Sequence, residues 1–184
     1  MASIKSSRDL IFDNQIFQSW SLTKKLVISA ILTLLSAIFQ SAGGFLPGVG
    51  FLISPFATLP IILATIISLK HGLVSYLLTI FLLFLLEPSE LFIFPFTTGL
   101  LGLGIGWGLS MFRQRKVIIL LNGILLSIGI FFPLYILGFP VLGPITPSIP
   151  NAGFVLGLMG FSILYSWLWL EIGLFVLKRT INTK

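Results

Sequence analysis

Two glutamates and two threonines in one short stretch are the residues of this sequence best suited to bind a ligand. Glu87 and Glu90 lie on either side of Pro88 in a short, mostly apolar loop that ends at Pro95, and Thr97 and Thr98 stand where a glycine-rich hydrophobic segment begins. A carboxylate in apolar surroundings is unfavourable unless it faces a cavity or a partner. Hydroxyls at the start of a helix add hydrogen-bonding groups beside it. The stretch therefore predicts one wall of a shallow ligand pocket at a membrane interface.

The pocket prediction extends to residues at the same ends of the other predicted helices. The candidate ligand-binding residues are Phe45, Glu87, Glu90, Thr97, Thr98, Tyr135, Asn151 and Phe154. Aromatic faces with an amide, hydroxyls and a carboxylate suit a flat heterocycle with a polar edge. Because these outer segments hold no Lys or Arg, we expect a neutral or cationic ring and not a carboxylate-bearing ligand. For each residue, ordinary anchoring at the membrane interface is the alternative.

The sequence carries no pattern typical of a catalytic or metal site. It has no phosphate-binding loop, no paired histidines, no metal-ligand cluster, no nucleophile beside a base, and no cysteine. The glycines of residues 102–108 imitate a dinucleotide-binding fingerprint, but they lie inside an apolar span with no strand before them. We therefore expect no enzyme, no cofactor and no metal. Transport against a gradient would draw its energy from a partner.

Composition places the chain in a membrane. Hydrophobic residues make up 57% of the 184 residues and charged residues only 9%. A spanning helix needs about 20 apolar residues, so the length fits about six spans. Runs such as residues 72–86 are apolar on every side, whereas strands of a membrane barrel alternate. The predicted fold class is an all-α integral membrane protein with six transmembrane helices.

Charge predicts the topology. The predicted spans cover about residues 26–42, 56–69, 72–86, 96–112, 117–137 and 152–177. The basic residues beside them are Lys24, Lys25, Lys70, Arg113, Arg115, Lys116, Lys178 and Arg179, all on one side if the spans alternate. The three loops on the other side hold no Lys or Arg, so the positive-inside rule makes both termini cytoplasmic. Basic groups placed beside spans also argue against a nucleic-acid partner, despite the net charge of +6.

The polar segment 1–23 is separate from the transmembrane domain, 24–184. In it Phe12, Ile16 and Trp20 recur every four residues, which is typical of a short amphipathic helix at the cytoplasmic interface. A disordered tail is the alternative, and the sequence leaves both open.

Two outer loops have distinctive compositions. The segment Gly43 to Pro55 has four glycines, two prolines and no charge, so it predicts either a mobile lid over the outer mouth or a passive connection. The loop from Gly138 to Asn151 contains repeated prolines, which predict a semi-rigid lip beside the pocket.

Small residues mark helix packing faces. Ser29, Thr33, Ala37 and Ser41 recur at four-residue spacing on the first span and predict a docking face, either internal or against another subunit. On the fourth span the glycines permit close helix crossing. They are Gly99, Gly102 and Gly106, with Gly104 and Gly108 on an adjoining stripe.

Glu171 is the only carboxylate inside the last predicted span. Such a group needs a partner or a proton. We expect it to contact another helix or a partner subunit. Capping by an internal hydroxyl and a proton-coupled role are the alternatives.

The chain resembles the substrate-binding (S) components of energy-coupling factor vitamin transporters. The resemblance lies in the six-span plan with both ends inside, the length, the outer lid between spans one and two, and the stripe Ser29, Thr33, Ala37, Ser41. That stripe is similar to the family's alanine-rich docking face, although only Ala37 is alanine. Glu87 or Glu90 with Asn151 is similar in placement to the polar pair of thiamine-type members.

The resemblance implies capture of a vitamin or precursor at the outer face of a bacterial plasma membrane. Thiamine, its pyrimidine precursor and a pyridoxine-like ring are the implied ligands. The stripe would dock on a membrane scaffold subunit, two ATPase subunits would supply energy, and the component would topple in the bilayer to release its ligand.

Two other classes compete with this interpretation. A non-transporting polytopic scaffold in cell-envelope assembly, resembling rod-shape proteins, would explain the glycine stripes but gives the acidic outer loop no purpose. A small proton-coupled carrier using Glu171 would need a polar stripe through several spans, and these spans are almost uniformly apolar.

Overall fold

The structure is a computed structural model, and it describes residue 17, residues 19–46, 48–139 and 141, and residues 150–182. Throughout these residues the chain is helical or turns, with no strand. The helices are α1 (Leu22–Phe45), α2 (Gly50–Ile53), α3 (Thr58–Ile67), α4 (Leu69–Leu86), α5 (Thr98–Met111), α6 (Arg115–Tyr135) and α7 (Ala152–Asn182). Two 3-10 turns, Ser54–Ala57 and Pro88–Phe92, precede α3 and α5.

The chain is an all-α, multi-pass membrane protein of about six helices, as the sequence predicts. Five helical segments are long and apolar enough to cross a membrane: Leu22–Phe45, Gly50–Ile67, Leu69–Leu86, Arg115–Tyr135 and Ala152–Thr180. The sixth apolar helix, α5, has 14 residues. At 1.5 Å per residue it is about 21 Å long, less than the roughly 30 Å of a bilayer core. The turns of residues 88–97 lead into its outer end.

The linker of residues 43–55 between the first two spans is largely helical in its described residues, and the choice between a mobile lid and a passive connection stays a prediction. Helix α1 runs on to Phe45, and α2 begins at Gly50. Gly48 has a φ of +80°, a turn conformation that favours glycine. A Cβ at Gly50 would overlap the Ala42 carbonyl oxygen, so the glycine lets the returning chain lie against α1. Gly48 and Gly50 therefore allow a tight reversal of the chain after α1.

Helix α3 is the centre of the bundle. It packs against α1, α4, α5 and α7, and eight of its ten residues are buried, which leaves it almost no lipid-facing surface. Its hydrophobicity on all sides is what a helix surrounded by other helices requires.

The glycines of α5 bring it close to two neighbours, as predicted. A Cβ at Gly102 would lie 2.8 Å from the Ile61 Cβ atom of α3, and one at Gly106 would lie 2.5 Å from the Thr65 Cβ atom. On the adjoining stripe, a Cβ at Gly104 would overlap the Asn122 side chain of α6. Helix α5 is therefore wedged between α3 and α6 because it lacks side chains at these contacts.

The basic groups lie at one end of the bundle. The Ser75 hydroxyl of α4 donates to the Ser29 carbonyl of α1 at 3.4 Å, so the two helices run side by side from lysine-bearing starts. At the same end Arg115 Nη1 lies 2.9 Å from Glu171 Oε1, joining α6 to α7. By the positive-inside rule, we expect this end to be the cytoplasmic one.

Two predictions fall largely outside the described residues. Of the N-terminal amphipathic pattern, Phe12 and Ile16 lie outside, while Phe17 is helical, buried, and in edge-to-face contact with Trp20 at 5.0 Å between ring centroids. Of the proline loop, residues 140 and 142–149 lie outside.

Gly106→Leu tests the close crossing of α3 and α5. The new side chain must displace Thr65 or the Ile62 carbonyl, and overpacking of this kind destabilises by about 1–3 kcal/mol. The matched control is Gly160→Leu, since no heavy atom lies within 4 Å of a Cβ there. Denaturation of the purified protein in detergent should show the loss for Gly106→Leu and a change within about 0.5 kcal/mol for the control. Equal losses would mean that α5 is not packed in this way.

Candidate functional site

Three buried polar side chains from three elements form a hydrogen-bond chain in the outer half of the bundle. The Thr98 hydroxyl donates to Gln40 Oε1 at 2.6 Å, and Gln40 Nε2 donates to Glu90 Oε2 at 2.6 Å. The three residues are only 7%, 0% and 3% exposed, respectively. The amide of Gln40 thereby uses both its ends, and each buried group has a partner. The chain ties α1 to the turn that precedes α5 and to the first residue of α5.

Local sequence explains how Glu90 reaches this position. Pro88 begins the 3-10 turn that carries Glu90, and the Glu90 carbonyl accepts from the N–H groups of Ile93 and Phe94. Gly43 of α1 lies directly opposite, where a Cβ would overlap Glu90 Oε1. The neighbouring Gly44 leaves room for the Glu87 side chain in the same way. The two glycines let both carboxylates approach the backbone of α1.

A cavity of about 210 Å³ lies beside this hydrogen-bond chain. Glu90, Thr97, Thr98 and Ser54 supply its polar groups, and its apolar walls include Phe51, Pro55, Ile93, Leu126, Ile130, Val141, Phe161 and Tyr165. Ligand pockets for drug-sized molecules usually measure about 300–1,000 Å³. The cavity therefore suits a compound with a single ring.

The electrostatics of the cavity depend on Glu90. Burial raises the pKa of the Glu90 carboxyl above its ordinary value, and the nearby Glu87 carboxylate adds to the rise, while the hydrogen bond from Gln40 opposes it. No Lys or Arg lies among the described residues that line the cavity. A ligand cation would therefore meet a carboxyl group with no competing cation beside it.

The structure brings three of the eight predicted pocket residues together at the cavity: Glu90, Thr97 and Thr98. Glu87 lies near Glu90 but outside the lining, and its carboxylate accepts from the Ser89 hydroxyl at 2.7 Å. Phe45 is 58% exposed and also lies outside it. The segment that holds Phe45 contributes Phe51 instead, because the turn after α1 reverses the chain direction.

The remaining three residues belong to a separate aromatic cluster at the outer ends of α6 and α7. The Tyr135 ring lies 4.5 Å from that of Phe131 and 6.3 Å from that of Phe154, measured between centroids. Asn151 Oδ1 accepts from the Phe154 N–H at 2.8 Å, the geometry of a helix N-cap. The structure thus does not bring Tyr135, Asn151 and Phe154 into the lining of the cavity that contains Glu90.

The small-residue stripe of α1 faces the inside of the bundle. Ser29, Thr33, Ala37 and Ser41 are 7%, 4%, 1% and 5% exposed. Thr33 turns its hydroxyl back to the Ser29 carbonyl at 2.8 Å, and neighbouring Ser36 donates to the Ala57 carbonyl at 3.1 Å. Of the two roles open to such a stripe, the structure shows internal packing. The expectation of a partner-docking surface at these residues is corrected, because they have almost no surface to offer.

Glu171 contacts another helix. Its carboxylate pairs with Arg115 Nη1 at 2.9 Å, and the two side chains are 37% and 33% exposed at the cytoplasmic end. The Glu171 side chain therefore has a counter-charge on α6 and partial access to solvent, as a carboxylate in an apolar helix requires.

Sequence reasoning missed Gln40, the residue that orients Glu90. The available signal was its position, since a glutamine within an apolar span needs a hydrogen-bond partner. It also missed the aromatic walls, Phe51, Phe161 and Tyr165, which nothing in their local sequence distinguishes from lipid-facing aromatics.

Comparison with known proteins adds no assignment to this geometry: no protein-family model, curated protein or solved structure matches the chain. Within the described ranges, no group of three or more His, Asp or Glu side chains is placed to hold a metal ion. The chemistry available at the cavity is that of one carboxyl group, four hydroxyls (Ser54, Thr97, Thr98 and Tyr165) and several aromatic faces.

The raised pKa of Glu90 predicts that stability falls as pH rises. The unfolded chain releases this proton near pH 4.3, whereas the folded protein keeps it to higher pH. The stabilisation is complete below about pH 4.3 and is lost as pH passes through the folded-state pKa. Glu90→Gln keeps a neutral hydrogen-bonding group and should remove this slope from melting temperatures measured between about pH 4 and pH 8. The Glu87→Gln variant should retain most of the pH dependence of the melting temperature. If Glu90→Gln showed the same pH dependence as the wild type, the burial of the Glu90 carboxyl would be contradicted.

Glu171→Gln tests whether the Arg115 pair is structural. Because both groups are about one-third exposed, solvent screens the pair, and the loss of stability should lie within about 0–1 kcal/mol. Arg115→Gln should give a similar small loss, and the double variant should cost less than the sum of the two. Denaturation of the purified variants in detergent, at low and at high salt, measures these losses of stability. A loss of several kcal/mol, insensitive to salt, would contradict a screened pair.

Proposed function

We propose that this chain is a membrane-embedded binding protein that holds a small neutral or cationic ring compound in its outer cavity, as the substrate-capture component of an importer. One observation carries the proposal: the cavity of about 210 Å³ has the buried Glu90 carboxyl in its wall, held in position by Gln40 and Thr98. A carboxyl group in the wall of a cavity within an apolar bundle destabilises the fold, and ligand binding would account for its presence there.

Charge limits the class of ligand. The outer loops contain no Lys or Arg, so a ligand carboxylate or phosphate would find no cation there. A protonated ring nitrogen or amine, in contrast, would pair with Glu90. A neutral ring with a donor edge would bind the same oxygen with a weaker hydrogen bond.

The aromatic walls favour a flat ring. Phe161 and Tyr165 are stacked on each other with centroids 5.5 Å apart, and Phe51 lies on another wall. Aromatic faces bind planar rings by stacking and stabilise cations through their negative faces. Among the ligands implied by the resemblance, the volume favours a single ring, such as a pyridoxine-like compound or a pyrimidine precursor, over the two rings of thiamine.

The import role rests on the resemblance to energy-coupling factor S components, which also implies a bacterial plasma membrane. In that role a membrane scaffold subunit and two ATPase subunits supply the energy. The docking surface for a scaffold would lie outside the buried stripe of α1. The lipid-facing side of α1, which includes exposed Ile31, Leu34 and Ile38, is the part of that helix open to a partner.

Tryptophan fluorescence tests ligand capture. Trp169 is buried, and its ring lies 6.2 Å from that of Tyr165, a cavity wall residue, so an occupant should change its emission. Purified protein titrated with single-ring pyridine and pyrimidine compounds, neutral and cationic, should show saturable quenching by at least one. Glu90→Gln should weaken binding of a cationic ligand about tenfold or more, the effect of losing one charge-assisted hydrogen bond.

Asn151→Ala is the control for this titration. It removes the N-cap of α7 and should lower stability by about 1 kcal/mol while leaving the affinity unchanged. Absence of quenching by the whole panel, or equal weakening in both variants, would contradict the assigned cavity. Co-purification of a membrane scaffold with two nucleotide-binding subunits tests the importer role separately, and capture without such partners would leave a binding protein of another kind.

A further inference from the structure

A second hollow lies at the opposite end of the protein, between α1 and α4. It has a volume of about 320 Å³. Leu26, Ala30, Val74 and Leu78 form apolar walls, and the buried Ser29 and Ser75 lie between the two helices. The groove reaches Lys70 and His71 at the cytoplasmic end of α4. No acidic side chain is among the described residues that line it.

Two buried polar atoms in this groove lack a partner within the described structure. They are Ser29 Oγ, in a residue only 7% exposed, and His71 Nδ1. Buried polar atoms are almost always hydrogen-bonded. Two such atoms without a hydrogen-bond partner at one groove therefore indicate an occupant that supplies polar atoms. The hydroxyl of Ser29 can donate or accept, and a ring nitrogen of His71 can donate to an anionic oxygen.

The cytoplasmic end of the groove has the charge of an anion site. Helix α4 begins at Leu69 with no side chain capping its first turn, and Lys70 lies in that turn. The partial positive charge of a helix N-terminus favours phosphate, and a neighbouring lysine adds to it. Lys25 stands one turn before Ser29 on the same face of α1, which brings a second ammonium group to this end.

The dimensions fit an acyl chain and not a helix. From Lys70 to Leu78 the groove follows α4 for about 12 Å, close to the roughly 15 Å depth of one leaflet's hydrocarbon. A helix about 10 Å wide would need roughly 900 Å³ over that length. The groove offers about a third of this volume, and its apolar walls are those of a lipid-chain site.

We propose that this groove binds an anionic phospholipid of the inner leaflet. One acyl chain lies between α1 and α4, its ester carbonyl accepts from the Ser29 hydroxyl, and the headgroup phosphate contacts Lys70, His71 and the N-terminus of α4. The site is independent of the outer cavity and of the proposed capture function.

Native mass spectrometry of the protein in neutral detergent tests the proposal with phosphatidylglycerol and phosphatidylcholine of identical chains. The anionic lipid should be retained at least about fivefold better. Lys70→Ala should lower that preference about fivefold, the contribution of one basic residue near an anionic surface. Lys178→Ala, which removes an exposed cytoplasmic charge away from the groove, should leave the preference unchanged.

A second pair of variants tests the acyl chain. Ala30→Phe fills the groove from an exposed position and should abolish retention of the anionic lipid, whereas Ile31→Phe, at an exposed neighbour outside the lining, should not. Soluble glycerol phosphate should not displace bound phosphatidylglycerol. Equal retention of the two lipids, equal effects of Lys70→Ala and Lys178→Ala, or displacement by glycerol phosphate would overturn the proposal, the last in favour of a free-anion site.

Discussion

The burial of one carboxyl group constrains the whole outer half of this protein. Glu90 is 3% exposed in an apolar bundle, so it needs a hydrogen-bond donor that water cannot supply. Gln40 is that donor, and its own carbonyl oxygen must then be satisfied by Thr98. The carboxyl also fits only because Gly43 has no side chain. A single polar group thereby fixes the relative positions of α1, the Pro88–Phe92 turn and α5.

The packing of α5 against the central helix α3 also helps to fix the position of the Glu90 hydrogen-bond chain. Gly102 and Gly106 let α5 lie against the central helix α3, which sets where Thr98 points. Helix α5 is only 14 residues long, and the turns of residues 88–97 precede it. Turns pack less regularly than helices, and the cavity lies where they meet α2 and α6. The hollow and its carboxyl group thus have one structural cause.

The sequence predicted the parts of this structure that depend on local pattern. Spans follow from hydropathy, and the approach of α5 follows from glycine spacing. Glu90 was found because a carboxylate among apolar residues is conspicuous. Gln40 was missed because its role depends on residues 50 and 58 positions away. Asn151 was misassigned because an asparagine before a helix is equally suited to capping and to ligand binding. The stripe of α1 could not be oriented, since small residues at four-residue spacing do not specify their partner.

The two hollows have opposite electrostatics, and both follow from the charge asymmetry that orients the protein in its membrane. Basic residues required at the cytoplasmic end leave ammonium groups beside any groove that opens there, as at Lys70 between α1 and α4. The same rule removes cations from the outer loops, so the Glu90 carboxyl at the cavity has no basic neighbour to neutralise it. In an apolar bundle with few charges, the residues that direct insertion into the membrane are therefore also the ones that set the charge near each hollow.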